Sequence, residues 1–129
     1  MTKIWAFIRE RIHSFGPAFS GWAYVLRSQQ NAWLHAVASV AVFALSAWLG
    51  IGRLEWALVI VAVAFVWIAE FLNTALEAVV DLASPNRHPL AQVGKDIGAA
   101  AVLIAAINAV VLGLLVLGPP LWARIAPLL

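Results

Sequence analysis

The sequence predicts an all-α integral membrane protein: three transmembrane helices preceded by an amphipathic helix lying in the interface. Composition points there first. Of 129 residues, 64% are hydrophobic, 11% are charged and seven are tryptophan, far too apolar a balance for a soluble domain of this size. Length points there next, because residues 32–49, residues 54–72 with a polar extension to 81, and residues 97–117 can each span about 30 Å of hydrocarbon. The third observation concerns chemistry. The segment Glu70-Phe71-Leu72-Asn73-Thr74-Ala75-Leu76-Glu77-Ala78-Val79-Val80-Asp81 continues directly from the uncharged run at residues 56–69.

The first thirty residues are amphipathic and do not span. Trp5, Ala6, Phe7, Ile8, Ile12 and Phe15 alternate with Lys3, Arg9, Glu10, Arg11 and His13, a pattern suited to a helix at headgroup depth. Gly16-Pro17 is expected to break it, since proline disfavours helix in the residue before it. A second helical segment then covers residues 18–27. Trp48, Trp56 and Trp122 fall near span ends and read as interface anchors, and His13 and His35 read as interfacial or packing residues. Glu55 reads as a solvated loop partner near Arg53.

Between the second and third spans, Leu82-Ala83-Ser84-Pro85-Asn86-Arg87-His88-Pro89-Leu90 carries two prolines and several turn formers, so it is expected as a loop. Helix must resume before Lys95-Asp96. The small residues Gly98, Ala99, Ala100 and Ala101 open the third span, and such residues let helix backbones approach closely in lipid. Asn108, deeper in that span, is expected to bond a neighbouring helix. The chain is therefore one membrane-embedded domain, residues 1–129, with interfacial residues 1–30 and spans at about 32–49, 54–81 and 95–117.

Charge sets the expected orientation. Lys3, Arg9, Arg11 and Arg27 precede the first span, Arg53 alone lies between the first and second, Arg87 and Lys95 follow the second, and Arg124 follows the third. Basic residues favour the cytoplasmic side. The N-terminus and the second loop are expected there. With no cysteine in the chain, disulfides and thiolate metal sites are excluded, and no nucleic-acid partner is expected.

An ionisable side chain inside a bilayer is costly and points to function. At about 100° per residue, Glu70, Glu77 and Asp81 share a narrow arc of one helical face, flanked by Asn73 and Thr74. Toward the cytoplasmic edge Glu77, Asp81, Arg87, His88, Lys95 and Asp96 are expected to converge, with Glu70 about 10 Å deeper along the helix. Acids beside bases suit a magnesium nucleotide, the acids facing the metal and the bases the phosphates. A deeper carboxylate suits removal of a proton from a lipid hydroxyl. Neither common glycine-rich phosphate loop is present, so the residues alone define a membrane site for a cation or a phosphate.

The run from Glu70 to Asp81, the loop carrying His88, and Gly94-Lys95-Asp96-Ile97-Gly98-Ala99-Ala100-Ala101-Val102-Leu103 resemble the signature segments of the prokaryotic diacylglycerol kinase and undecaprenol kinase family. The resemblance covers about residues 15–117, in order and with the family's spacing. It implies a helical bundle assembled as a homotrimer in the bacterial inner membrane, with active sites shared between subunits. The implied reaction moves the γ-phosphoryl group of ATP, with Mg2+, onto a lipid alcohol. By position, Glu70 matches the general base, Glu77 a metal-binding carboxylate, Asn73 a supporting residue with Asp81 beside it, and Asn86, Arg87, His88, Lys95 and Asp96 the ATP-contacting positions. Gln29 stands where well-known members carry a metal-holding glutamate. A neutral amide oxygen coordinates magnesium more weakly than a carboxylate.

The acceptor is left open between diacylglycerol and undecaprenol, although Ser84-Pro85, His88-Pro89-Leu90 and the segment around Asn31 stand somewhat closer to the undecaprenol kinase branch. A second class is a small oligomeric transporter whose intramembrane carboxylates pass protons or cations. Such a path needs polar residues through the outer half as well, and residues 56–69 supply none.

Overall fold

A computed structural model describes residues 2–86 and 88–128, with side chains from Phe15 onward. Four helices follow one another: α1 (Thr2–Ser28), α2 (Gln30–Leu49), α3 (Arg53–Ala83) and α4 (Pro89–Ile125), the last running into a 3-10 turn over Ala126–Leu128. Three of them, α2, α3 and α4, are long and apolar enough to cross a membrane. The protein is all-helical and membrane-embedded, as its composition requires.

Two helices run through internal prolines. α1 continues through Gly16-Pro17, so the expected break is absent. One proline removes a single N–H donor, a loss a helix can absorb when the flanking residues on both sides keep to helix. α4 likewise passes Pro119 and Pro120 to reach Ile125, eight residues beyond the expected end. Its start also differs, at Pro89 instead of about residue 95. Proline suits the first helical position, where its missing N–H costs nothing. His88 completes that start, its Nδ1 accepting the Leu90 N–H at 3.2 Å.

α2 and α3 are joined by a tight reversal at Gly50-Ile51-Gly52. Gly50 has φ +67°, a left-handed conformation in which a Cβ is disfavoured, and its N–H donates to the carbonyls of Ser46 and Ala47, closing the helix as a glycine cap does. α3 then opens with Glu55 accepting the Gly52 N–H. Glu55 is thus a helix cap and not a solvated partner of Arg53.

Close packing is concentrated between α3 and α4. Gly98 is the reason the two backbones approach: a Cβ there would overlap Asn73 Oδ1 and stand 3.1 Å from Leu76 Cδ2. Of the small-residue run that opens the third span, Gly98 alone is buried, and Ala99, Ala100 and Ala101 are exposed. At the far end, Val59, Val116 and Leu117 form the buried core, with Val42, Phe43, Leu45, Leu49, Ile51 and Leu112 packed around it. There Arg124 crosses from α4 to α2, lying 4.9 Å over the Trp48 ring and donating to the Trp48 carbonyl at 2.9 Å. A cation on a last-turn carbonyl satisfies an acceptor the helix leaves open.

α1 docks through Trp22, whose ring lies 4.7 Å from both Trp67 and Phe71 of α3. Large apolar side chains elsewhere face outward, among them Leu72, Leu103, Ile104, Val110 and Leu114. In hydrocarbon these are solvated surfaces, not liabilities.

Candidate functional site

The carboxylates of α3 sit where the sequence put them, on one face, but in three distinct settings. Glu70 is 2% exposed, closed in by α2 and by its own helix. The next turn is fastened to it, as Thr74 Oγ1 donates to the Glu70 carbonyl at 2.8 Å. Across from its carboxylate stands His35 of α2, with Nε2 3.7 Å from Glu70 Oε2.

Glu77, two turns on, is half-buried and gathers two amides. Gln29 Nε2 donates to its Oε2 at 2.7 Å and Asn73 Nδ2 donates to its Oε1 at 3.2 Å. Gln29 is in place because it is the single non-helical residue between α1 and α2, with an extended backbone (φ −110°, ψ 118°). That break swings its side chain across to α3. Asn73 is buried and set against Gly98, and its Oδ1 has no hydrogen-bond partner among the described residues.

Asp81 forms a third, exposed setting with Lys95, Nζ to Oδ1 2.5 Å. Next to Lys95 on α4, Asp96 accepts from Gln92 Nε2 one turn back at 2.8 Å, a contact within its own helix. Asn86 lies in the connecting loop, where its carbonyl accepts from Ser84 Oγ at 2.8 Å. His88 is exposed and caps α4. Arg87 lies outside the described residues. The structure thus joins Asn73, Glu77 and Gln29 by hydrogen bonds into one patch, sets Glu70 two turns from Glu77 on the same helix, and pairs Asp81 with Lys95. Asn86, His88 and Asp96 flank the patch without touching it.

His35 is the residue that sequence reasoning passed over as packing. A signal for it was present. At about 100° per residue, His35, Ser39 and Ser46 fall on one face of the first span, and that polar stripe turns toward α3: Trp67 Nε1 donates to Ser39 Oγ at 3.1 Å and Ser46 is fully buried. Asn108, expected to bond another helix, lines an apolar groove between α3 and α4 together with Asn73 and Gly98.

Among the described residues no cluster of three or more acids or histidines could hold a metal ion, so any magnesium here would rest on few protein oxygens, Glu77 first among them. Magnesium is held through one or two protein oxygens, with substrate phosphates and water filling the rest of its shell. Glu77 supplies a carboxylate and Gln29 an amide at hydrogen-bond distance from it, with Lys95 one loop away as a cation for phosphate oxygens.

The family described as prokaryotic diacylglycerol kinase matches residues 16–117, from the second half of α1 to the buried Leu117 of α4, and so takes in every residue of the patch. The chain belongs to the prokaryotic diacylglycerol kinase family. Among its relatives is a diacylglycerol kinase of Synechocystis, 39% identical over 118 residues, covering 91% of this chain and 67% of that one. An undecaprenol kinase of Bacillus subtilis is 34% identical over 108 residues, covering 84% of this chain and 88% of its own. A diacylglycerol kinase of Escherichia coli is 37% identical over 95 residues, covering 68% and 78%. Family membership and the three apolar helices agree on a membrane enzyme.

Proposed function

We propose that this protein is a lipid kinase that transfers the γ-phosphoryl group of ATP to a membrane lipid alcohol, diacylglycerol or undecaprenol. The observation that carries the reading is the placement of Glu70, a carboxylate buried at membrane depth, two helical turns from the half-buried Glu77 in a chain of this family. Relatives named for both acceptors support it.

Each residue then has a task. Glu70 accepts the proton of the lipid hydroxyl while the hydroxyl oxygen bonds to the γ-phosphorus, the bond from that phosphorus to the bridging oxygen breaks, and ADP leaves. Burial keeps water, the competing acceptor, away from the base. Glu77 and the Gln29 amide would hold magnesium, which when bound neutralises phosphate charge. Asn73 fixes Glu77 from within the helix, and Asp81 orients Lys95 toward the nucleotide. Asn86, Arg87, His88 and Asp96 belong to the nucleotide side through the loop and the start of α4. Little covalent work falls to the protein, because phosphoryl transfer depends chiefly on positioning and charge neutralisation.

The reading extends to assembly and place: a homotrimer with shared sites, in the bacterial inner membrane, N-terminus cytoplasmic. The basic residues before α2 favour that orientation. A transporter reading finds no support, since α3 has no ionisable side chain over residues 56–69. The test is a side-by-side assay of the purified protein with radiolabelled ATP and either diacylglycerol or undecaprenol. Label is expected in a lipid phosphate. Hydrolysis without a labelled lipid from either acceptor overturns the proposal.

A further inference from the structure

His35 is the one described residue whose side chain can bring a positive charge to Glu70, and its Nε2 is buried with no hydrogen-bond partner among the described residues. These two facts belong together. A buried polar nitrogen without a partner costs free energy comparable to a lost hydrogen bond, and a carboxylate 2% exposed is the kind of acceptor it needs. Glu70 offers the acceptor that the imidazole nitrogen lacks. Their separation of 3.7 Å is within ion-pair reach and about 0.8 Å beyond the usual N–H···O distance of about 2.9 Å, a gap that a small ring rotation closes.

The surroundings hold the imidazole for that purpose. Ser39 Oγ donates to the His35 carbonyl at 2.6 Å and accepts from Trp67 Nε1 at 3.1 Å, so the α2 turn that begins at His35 is tied to the α3 turn that leads to Glu70. The Trp67 ring meets the imidazole edge-on at 6.4 Å. Other charges are few. Glu77 stands on α3 itself, α4 passes this level with the uncharged residues 98–106, and α1 brings Trp22, with Tyr24 and Arg27 on the turns beside it.

We propose that His35 is a positioning residue for phosphoryl transfer: its Nε2 donates to the Glu70 carboxylate and holds it aimed at the acceptor hydroxyl. This rests on the reading of Glu70 as the base. A merely structural histidine at this place fills space between α2 and α3, whereas a positioning one acts on the chemical step alone. His35 touches Glu70 and not the Glu77–Gln29 side, so its loss falls on kcat and leaves nucleotide affinity intact.

The experiment compares His35→Ala, His35→Gln and Glu70→Gln in the full-length membrane protein, with steady-state kinetics and 15N-histidine NMR. His35→Ala is expected to lower kcat about a hundredfold with KM for MgATP within about twofold. His35→Gln, whose amide nitrogen can sit near the place of Nε2 and donate, is expected to recover most of that loss while the shape of the kcat–pH profile changes, because an amide does not titrate. The His35 Nε2 resonance of the otherwise native chain is expected to move in Glu70→Gln and to stay put in Gln29→Ala. Wild-type kcat in both His35 variants, equal loss in both, an effect confined to KM, or an unmoved resonance in Glu70→Gln overturns the inference. Retained transfer by Glu70→Gln instead overturns the base assignment, and the NMR comparison still decides the His35–Glu70 contact.

Discussion

Glu77 is held by two neutral amides, and that choice has consequences at a single side chain. Replacing Gln29 by glutamate puts a second charged oxygen beside Glu77, so the magnesium concentration for half-maximal activity is expected to fall, and Gln29→Ala is expected to raise it. A magnesium titration of initial rates reads both; unchanged dependence in both variants removes Gln29 from the metal. Glu70→Gln is expected to abolish lipid phosphorylation with nucleotide binding retained, read by the labelled-lipid assay beside ATP binding, and turnover within a few-fold of the parent sinks the assignment. Gly98→Leu is expected to destabilise the fold by about 1–3 kcal/mol through overpacking against Asn73 and Leu76, seen as earlier thermal unfolding in detergent. The shared face of Glu70, Glu77 and Asp81 was legible because rare acids in an apolar chain declare themselves and helical spacing aligns them, whereas Gln29 was singled out only through the family resemblance. His35 was read as packing although it shares a face with Ser39 and Ser46, since that stripe does not say which residue on another helix will face it.

Elements show where local rules yield to tertiary ones. Span positions follow from hydropathy, and α2 and α3 lie within a few residues of expectation. Helix ends do not. Pro17 stays inside α1 and Pro89 opens α4, because a proline ends or begins a helix according to the packing of the residues on either side of it. The second half of α1 is held by Trp22, whose ring meets Trp67 at a tilt and Phe71 edge-on, the Trp22–Trp67 contact joining residues 45 positions apart. The turn at Gly50 makes a direct test of the α2–α3 reversal. Gly50→Ala is expected to cost about 1 kcal/mol, since the strain lies in the backbone and no neighbouring atom is within 4 Å to be displaced. Equal melting temperatures for the variant and the parent contradict this reading of the cap.

As a whole molecule, one chain makes a thin enclosure. The Asp81–Lys95 pair is exposed and the outward faces of α3 and α4 carry large apolar side chains, so a site able to surround a nucleotide and a lipid headgroup is completed by other copies under the trimer proposal. Mixed oligomers of Glu70→Gln with Lys95→Ala chains are then expected to recover part of the wild-type activity although each variant alone is inactive. Demonstrated mixing with no recovery places each site within one subunit. Sequence reasoning reached the class, the spans and the acids, all matters of composition and spacing along a helix. The α1–α3 docking and the facing of α2 on α3 lay beyond it, because they depend on how separate helices meet.

The contact of Arg124 with Trp48 lies at the end of the spans opposite the carboxylates. It fastens one end of α2 to α4. With α2 pinned there, a tilt of about 5° displaces His35, about 20 Å away along the helix axis at about 1.5 Å per residue, by close to 2 Å. That travel is about half of the 3.7 Å between the imidazole and the Glu70 carboxylate. The His35–Glu70 geometry is therefore sensitive to the angle at which α2 leans on α3, and a contact at the far end of the spans bears on the reactive end through that lever arm.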